Sequence, residues 1–291
     1  MQNLTELIQF IPASTEETPE DIFASAPGLI FPDDLRNHHG EAGALLIYHS
    51  AKYGNIELTT ADPDGETDRR LFGHYLWNAG ILMAERISGQ RLLRDSEVKA
   101  WSVQGEAVLE LGAGVGLAGM VAHLAGAKQV VISDYPAKVI LDNVRKNLAQ
   151  NQHLLKQPGP AVQGHEWGVF DDDFATANKH HFTRLLAADC FWMPQVHEEL
   201  THSMLHFLSP EPSARVFAIG GFHTGRIKLA AFFDTAMSLG LEVEEIYEED
   251  ADGVRRPWDK ERDGGREDHT GRKKWLTIAI LRRGRAGSDM P

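Results

Sequence analysis

The run Val108-Leu109-Glu110-Leu111-Gly112-Ala113-Gly114-Val115-Gly116-Leu117 passes from an apolar strand pattern into glycines and then into a helical pattern that stops at Gly126. Glycines let a backbone turn sharply and approach a ligand that a Cβ would block. The helix that follows offers unpaired N–H groups at its start. Several nucleotide-type ligands use such a turn, and the detail of this one separates them. The dinucleotide pattern G-x-G-x-x-G/A calls for Gly or Ala at position 117, where leucine stands. The order here is E-x-G-x-G-x-G, with Glu110 just ahead of the glycines. A carboxylate at that place repels a pyrophosphate and suits a cationic group. The next strand, Gln129 to Ser133, runs into Asp134, eighteen residues after Gly116. A carboxylate at that strand end can accept both hydroxyls of a ribose, or it can cap the helix opening near Pro136.

Outward from this motif, strand and helix signals alternate. Ala107 to Leu111, Gln129 to Ser133, Leu185 to Ala188 and Arg215 to Ile219 read as short apolar strands. Helical patterns cover Gly116 to Ala125, Pro136 to Gln150, a stretch opening at Pro194, and Arg226 to Leu239. Such alternation argues for a mainly parallel sheet covered on both faces. The C-terminal part differs, because the strands Leu241 to Tyr247 and Lys274 to Leu281 are joined without a helix and should pair as antiparallel neighbours. These six strands, mostly parallel with one antiparallel, are the arrangement of the class I methyltransferases, so the expected fold is α/β, a class I methyltransferase Rossmann-like fold, whose sheet has seven strands. The polar insert Glu248 to Lys273 is expected to be a mobile hairpin or loop. Ala44 to His49 and Asn55 to Thr60 flank Lys52-Tyr53-Gly54 and read as a β-hairpin. Leu71, Tyr75, Asn78 and Leu82 recur at helical spacing, which places a helix from Leu71. The expected division is an N-terminal extension over 1–70 and a methyltransferase domain over 71–291.

Composition excludes some classes. The 291 residues carry 42 acidic against 29 basic side chains, a net charge of -13. That field repels a phosphate backbone, so no nucleic-acid partner is expected. The lone cysteine, Cys190, rules out an intrachain disulfide and a Cys-based metal site. No apolar run approaches the ~20 residues that span a bilayer. With no basic start or small-residue cleavage site at the N-terminus, the expectation is no membrane association and a cytoplasmic location. His202 and His206 have metal-ligand spacing with Glu198 one turn before, but they fall opposite Leu200, Met204 and Leu208. A solvated face and no metal are expected there.

Leu71 to Ala79, Val108 to Gly116, Val131 to Pro136 and His165-Glu166-Trp167-Gly168 form a series that resembles the eukaryotic family-16 protein methyltransferases, of the methyltransferase-like 21 type. The resemblance covers about residues 65–281 and is greatest to the fungal branch once called nicotinamide N-methyltransferase-like, later associated with elongation factor 1-alpha. It implies S-adenosyl-L-methionine as cofactor. Trp77 would lie along its methionine part, Gly112, Ala113 and Gly114 along its backbone, and Glu110 nearby, in contact through water. Asp134 would hold the ribose with Tyr135 beside it, Trp167 would sit by the adenine, and Ala188 would close the pocket. Both tryptophans also read as plain core aromatics. The family's Asp-x-x-Tyr or Asp-x-x-Phe motif at the acceptor entrance matches Asp189-Cys190-Phe191-Trp192, with tryptophan last, so a phenolic hydrogen bond is not carried over.

On that match Asp189 would accept a hydrogen bond from an amine, and Phe191 and Trp192 would wall a partly desolvated channel with cation–π capacity. The competing reading has Asp189 capping the next turn and both aromatics packed inward. Tyr75, His74 and His223 are the candidates for a base, unless burial beside a sulfonium lowers the amine pKa enough to need none. The implied activity is N-methylation of a protein amine, a lysine or an N-terminal amino group, with elongation factor 1-alpha as the family-implied substrate. A small-molecule acceptor, nicotinamide-like or another amine metabolite, and a non-catalytic binding module are the alternatives.

Overall fold

The structure is a computed structural model that describes residues 2–11, 38–62 and 75–284. In chain order its strands are β1 (Ile8–Ile11), β2 (His38–His39), β3 (Leu45–Ser50), β4 (Gly54–Thr59), β5 (Leu76–Trp77), β6 (Ala107–Leu111), β7 (Gln129–Asp134), β8 (Ala161–Gly164), β9 (Arg184–Ala188), β10 (Arg215–Gly221), β11 (Leu241–Asp250), β12 (Arg255–Pro257) and β13 (Trp275–Arg283). The helices used below are α1 (Asn78–Ile87), α2 (Asp95–Ala100), α3 (Leu117–Leu124), α4 (Lys138–Gln150), α5 (Asp173–Ala177), α6 (His197–Phe207) and α7 (Arg226–Ser238).

The central sheet has the order β12-β11-β13-β10-β9-β6-β7-β8. The strands from β8 through β7, β6 and β9 to β10 pair in parallel. β13 runs antiparallel to both β10 and β11, as the helix-free connection requires. The expected seven strands are thus present, and β12 adds an eighth at the edge, antiparallel to β11. Neighbouring residues of one strand face opposite layers. Val108 and Ile132 pack with Leu82 of α1, Val121 of α3 and Val144 of α4. Leu109 and Leu111 pack with Ala175 of α5, Met204 of α6 and Phe232 of α7. Burial on both faces is why these strands read as unbroken apolar runs.

The hairpin β3–β4 forms as expected, and β1 joins it as a third strand. Its inward residues Leu46, Tyr48, Ile56 and Leu58 belong to the same core as α1 and α3. Asn147 of α4, fully buried, straps it down: its side chain accepts from the Thr59 N–H at 2.8 Å and donates to Thr59 O at 2.9 Å and Val115 O at 3.0 Å. No helix among the described residues is long and apolar enough to cross a membrane.

Three expectations are corrected. The helix placed from Leu71 begins at Asn78, because Leu76 and Trp77 are extended and pair with His39 and His38; Leu71 and His74 lie outside the described residues. The polar insert does not leave the sheet at Glu248. Glu248, Glu249 and Asp250 continue β11 and are 0%, 0% and 2% exposed. Cations neutralise them internally: Arg226 and Arg256 donate to Glu248, Arg86 and Arg255 to Glu249, and Lys274 pairs with Asp250. His206 is half-buried rather than solvated, stacked on Phe170 at 4.3 Å with Nε2 on Ala175 O.

Candidate active site

The glycine turn between β6 and α3 is built on left-handed backbone. Gly112, Gly114 and Gly116 have φ of 65°, 56° and 80°. A Cβ on Gly112 would lie 2.8 Å from Cys190 Sγ and 3.2 Å from the Trp167 ring, so only glycine lets these surfaces close.

Two buried carboxyl groups fix this turn. Glu110, 3% exposed, accepts from the Gly119 N–H at 2.8 Å in the first turn of α3. It therefore occupies the helix start that in phosphate-binding turns receives the anion. Burial pushes its carboxyl up to about 8. Asp134 ends β7 and accepts from Gly114 N–H through Oδ2 and from Tyr135 N–H through Oδ1, both at 2.7 Å. Burial pushes it up to about 6. It does not cap α4, whose N-cap residue, Ala137, makes no side-chain hydrogen bond. Each Asp134 oxygen keeps a lone pair for a further donor.

These groups open on a cavity of about 420 Å³ at the carboxyl ends of β6, β7 and β9. That volume is in the range of small-molecule and cofactor sites. Trp77 lines it, its ring stacked on His223 at 4.9 Å and edge-on to Tyr75. Trp167 faces Gly112, Tyr135 contributes a ring from a residue 41% exposed, and Ala113 and Ala188 line it as well.

Asp189 follows β9 in left-handed backbone, φ 58°, a conformation that a non-glycine residue rarely holds outside functional or turn positions. Its Oδ1 accepts from Gly221 N–H at 2.9 Å, across to β10 rather than on the next turn. Among the described residues Oδ2 has no hydrogen-bond partner. Burial raises this carboxyl above the ordinary aspartate range, opposed by His223 and the Gly221 N–H. Trp192 lines the cavity, but Phe191 does not. Phe191 is 2% exposed and packs on Phe232 of α7 at 4.2 Å, so the channel wall expected of both aromatics falls to Trp192.

Other lining residues carried no role in the sequence reading. Cys190 sits inside the quoted motif, where its thiol donates to Leu111 O at 3.2 Å and burial holds it protonated. Glu199 reaches the site because Gly168 lets α6 approach: a Cβ there would lie 3.0 Å from Glu199 Cγ. That approach depends on tertiary packing and leaves no local signal. With Glu166, the lining holds carboxyl groups at Glu110, Asp134, Glu166, Asp189 and Glu199, and no Lys or Arg among the described residues. Such a lining fits a nucleoside bearing a sulfonium and an ammonium, and disfavours a pyrophosphate.

A family model described as lysine methyltransferase matches residues 64–234. The protein N-terminal and lysine N-methyltransferase of Schizosaccharomyces pombe is 31% identical over 185 residues, 62% of this chain and 68% of the relative. The proteins of that name in Eremothecium gossypii and Yarrowia lipolytica are 30% and 27% identical, covering 60% and 67% of this chain and 66% and 71% of their own lengths. The solved structure of SMU.776, described as a methyltransferase complexed with SAH, superposes with a TM-score of 0.56 at 12% identity, covering 90% of this chain and 66% of that one. At that identity the likeness speaks for the fold alone. Sheet order, glycine turn and family match agree: the chain belongs to the lysine methyltransferase family, enzymes of class I α/β fold that use S-adenosylmethionine.

Proposed function

We propose that the chain transfers the methyl group of S-adenosylmethionine to a primary amine of a protein, a lysine side chain or an N-terminal amino group. The observation that carries this reading is Asp189: a buried carboxyl group in left-handed backbone, fixed through Oδ1, with no hydrogen bond to Oδ2 among the described residues, lining the same cavity as Trp192.

When bound, the cofactor supplies an electrophilic methyl on a positive sulfur. The chain's own residues then have separable tasks. Asp134 accepts the ribose hydroxyls, while Tyr135 and Trp167 flank the nucleoside. Gly112, Ala113 and Gly114 allow close approach, Trp77 covers the methionine end, and Ala188 closes the far side. Glu110 acts from behind, holding α3 against the turn. Asp189 Oδ2 accepts an N–H of the acceptor, which orients its lone pair and draws a cation into the site. Trp192 keeps water from that amine and offers a ring face to its charge. An ammonium has no lone pair, so the acceptor gives one proton to solvent before it can take the methyl group that the cofactor would supply. The reading takes 71–291 as the catalytic domain and 1–70 as an N-terminal extension.

The names of the fungal relatives, protein N-terminal and lysine N-methyltransferases, support a protein acceptor. Elongation factor 1-alpha is the candidate that the sequence resemblance implies, and the cytoplasm the compartment. The test is incubation with methyl-labelled cofactor and cell extract, followed by separation of protein from metabolites. Label on a lysine or N-terminal amine of a protein is expected. Label confined to small amines, with nicotinamide as a reference acceptor, would overturn the reading.

A further inference from the structure

Trp77 is the N-cap residue of α1, with extended backbone at φ -90° and ψ 148° and no side-chain cap. Its main chain pairs with β2, His38 opposite Trp77 and His39 opposite Leu76. The His38 ring lies 5.3 Å from the Trp77 ring and 4.6 Å from that of Tyr75, and Trp77 and Tyr75 both line the cavity. His39 Nε2 lies 2.8 Å from Oδ1 of Asn78, the first residue of α1. A short strand far ahead of the glycine turn in sequence thus braces the start of α1 and the rings of the cavity wall.

The same segment reaches the opposite wall. Gly40 follows β2 with φ of 87°, and a Cβ there would stand 2.9 Å from Thr60 Cγ2, so glycine lets the chain pass closely over the end of β4. Thr60 is 1% exposed, and its hydroxyl accepts from Ala44 N–H at 2.9 Å and donates to Glu41 O. Thr59 beside it is bonded to Asn147, which also donates to Val115 O in the glycine turn, and Asn143 adds a bond to Thr59 O at 2.7 Å. Residues 38–60 therefore form a clasp that runs from Trp77 on one side of the cavity to Val115 on the other, where Val115 is also a lining residue. The family match begins at residue 64, beyond the clasp.

We propose that the segment 38–60 belongs to the cofactor site, with His38 and His39 as positioning residues that hold Trp77 in the orientation the cofactor meets. The physical basis is pre-organisation. α1 packs on α3 through residues such as Leu82 and Val121, so the helix stays in place without β2. Trp77 stands ahead of that packing, half-buried, and takes its orientation from the main chain and rings around it. A wall residue that samples other orientations lowers the fraction of protein competent to bind, and apparent affinity falls with that fraction. Ring contacts narrow the sampling. Linkage makes the effect reciprocal: whatever the clasp adds to cofactor binding, bound cofactor adds to closure of the clasp. The proposal rests on Trp77 covering the cofactor and stands whichever amine accepts the methyl group.

The probe is S-adenosylhomocysteine, with the full-length protein. In calorimetry His38→Ala should weaken its binding by about threefold or more, while His38→Phe, which restores a ring, should stay within about twofold of the wild type. Gly40→Ala, which touches neither ring, should also weaken binding by about threefold or more, because its Cβ displaces the strand. His38 is exposed, so the urea midpoint of His38→Ala should match the wild type's. In hydrogen exchange, saturating S-adenosylhomocysteine should slow the peptide that spans His38 and His39 by about threefold or more. Wild-type affinity in His38→Ala, or exchange at 38–39 indifferent to the ligand, overturns the proposal. So does a His38→Phe protein as weak as His38→Ala, or an affinity loss matched by a lower urea midpoint, since either makes His38 a general prop. Trp77→Ala separates the two levels. If it binds like the wild type, Trp77 does not cover the cofactor and the clasp falls with that reading. If it alone weakens binding, the reading of Trp77 stands and only the clasp falls.

Discussion

Glu110 and Asp134 show what single residues reveal before a structure exists and what they conceal. Their positions were legible because each stands at a strand end beside the glycines, where a side chain has few places to go. Their partners were not, because those are backbone N–H groups brought together by folding: Gly119 for Glu110, Gly114 and Tyr135 for Asp134. Glu110 consequently supports the turn more than it faces a ligand. Asp134→Ala should weaken cofactor binding roughly tenfold or more by calorimetry, through lost charge-assisted hydrogen bonds. Wild-type cofactor affinity should also rise as pH climbs through about 6, where Asp134 ionises in the empty site. Glu110 carries a stability signature. Its folded pKa of about 8 lies above the ordinary glutamate value of 4.5, so the native state holds a proton that the unfolded chain has released. Stability from this group is fully present below about 4.5 and is lost as pH rises towards 8. Glu110→Gln keeps an acceptor for Gly119 without ionising. Its urea-unfolding stability should decline less than the wild type's between pH 5 and 8, by up to ~1.4 kcal/mol per pH unit. Parallel profiles would show that burial does not hold this proton. Trp192→Ala should lower kcat more than it lowers cofactor affinity, and the reverse would move Trp192 to the cofactor side.

Elements were readable where burial is uniform or alternation is local, and misread where a distant partner decides. The strands β6, β7, β9 and β10 announce themselves as apolar runs because both faces are covered. β8, Ala-Val-Gln-Gly at the sheet edge, has no buried residue and gave no signal. The helical spacing of Leu71, Tyr75, Asn78 and Leu82 runs unbroken through Leu76–Trp77, yet that dipeptide pairs with His38–His39, which no local pattern announces. The same dependence on contact governs α3. A Cβ on Gly119 would lie 2.5 Å from Ile132 Cγ1 and 2.6 Å from Glu110 Oε2. Ordinarily Gly→Ala in a helix favours folding by lowering unfolded-state entropy. Here overpacking against β7 dominates, so Gly119→Ala should cost ~1–3 kcal/mol in chemical denaturation and push the glycine turn off its ligand. A gain in stability would mean that α3 sits farther from β7 than described.

At the scale of the whole molecule, the net charge of -13 misrepresents the interior. Polar sequence normally marks surface, and the insert after Tyr247 reads that way. Yet Glu248 and Glu249 are wholly buried, each held by arginines contributed by separate parts of the chain. The Glu249 group joins α1 through Arg86, the α1–α2 link through Arg91, and β12 through Arg255, which also binds Glu97 of α2. The N-terminus meets it too, where Leu4 N–H reaches Ala251 O and Arg91 donates to Gln2 O. One charged knot thus ties the first residues, the helix behind the cofactor wall and the antiparallel edge that completes the sheet. A buried ion pair is weak evidence of net stability, but removing one partner strands the other in low dielectric. Arg86→Met should therefore cost ~3–5 kcal/mol, and Arg86→Met combined with Glu249→Leu should recover much of that loss. Urea unfolding of both single variants and the double gives the coupling directly. Hydrogen exchange should show the Arg86→Met damage reaching β11 and Leu4 together, since the Leu4 N–H bonds Ala251 O just past β11 and Arg91 joins Gln2 O to Glu249. Additive single costs with no recovery in the double would mean that the arginines serve only as apolar stems, and that the sheet edge closes without them.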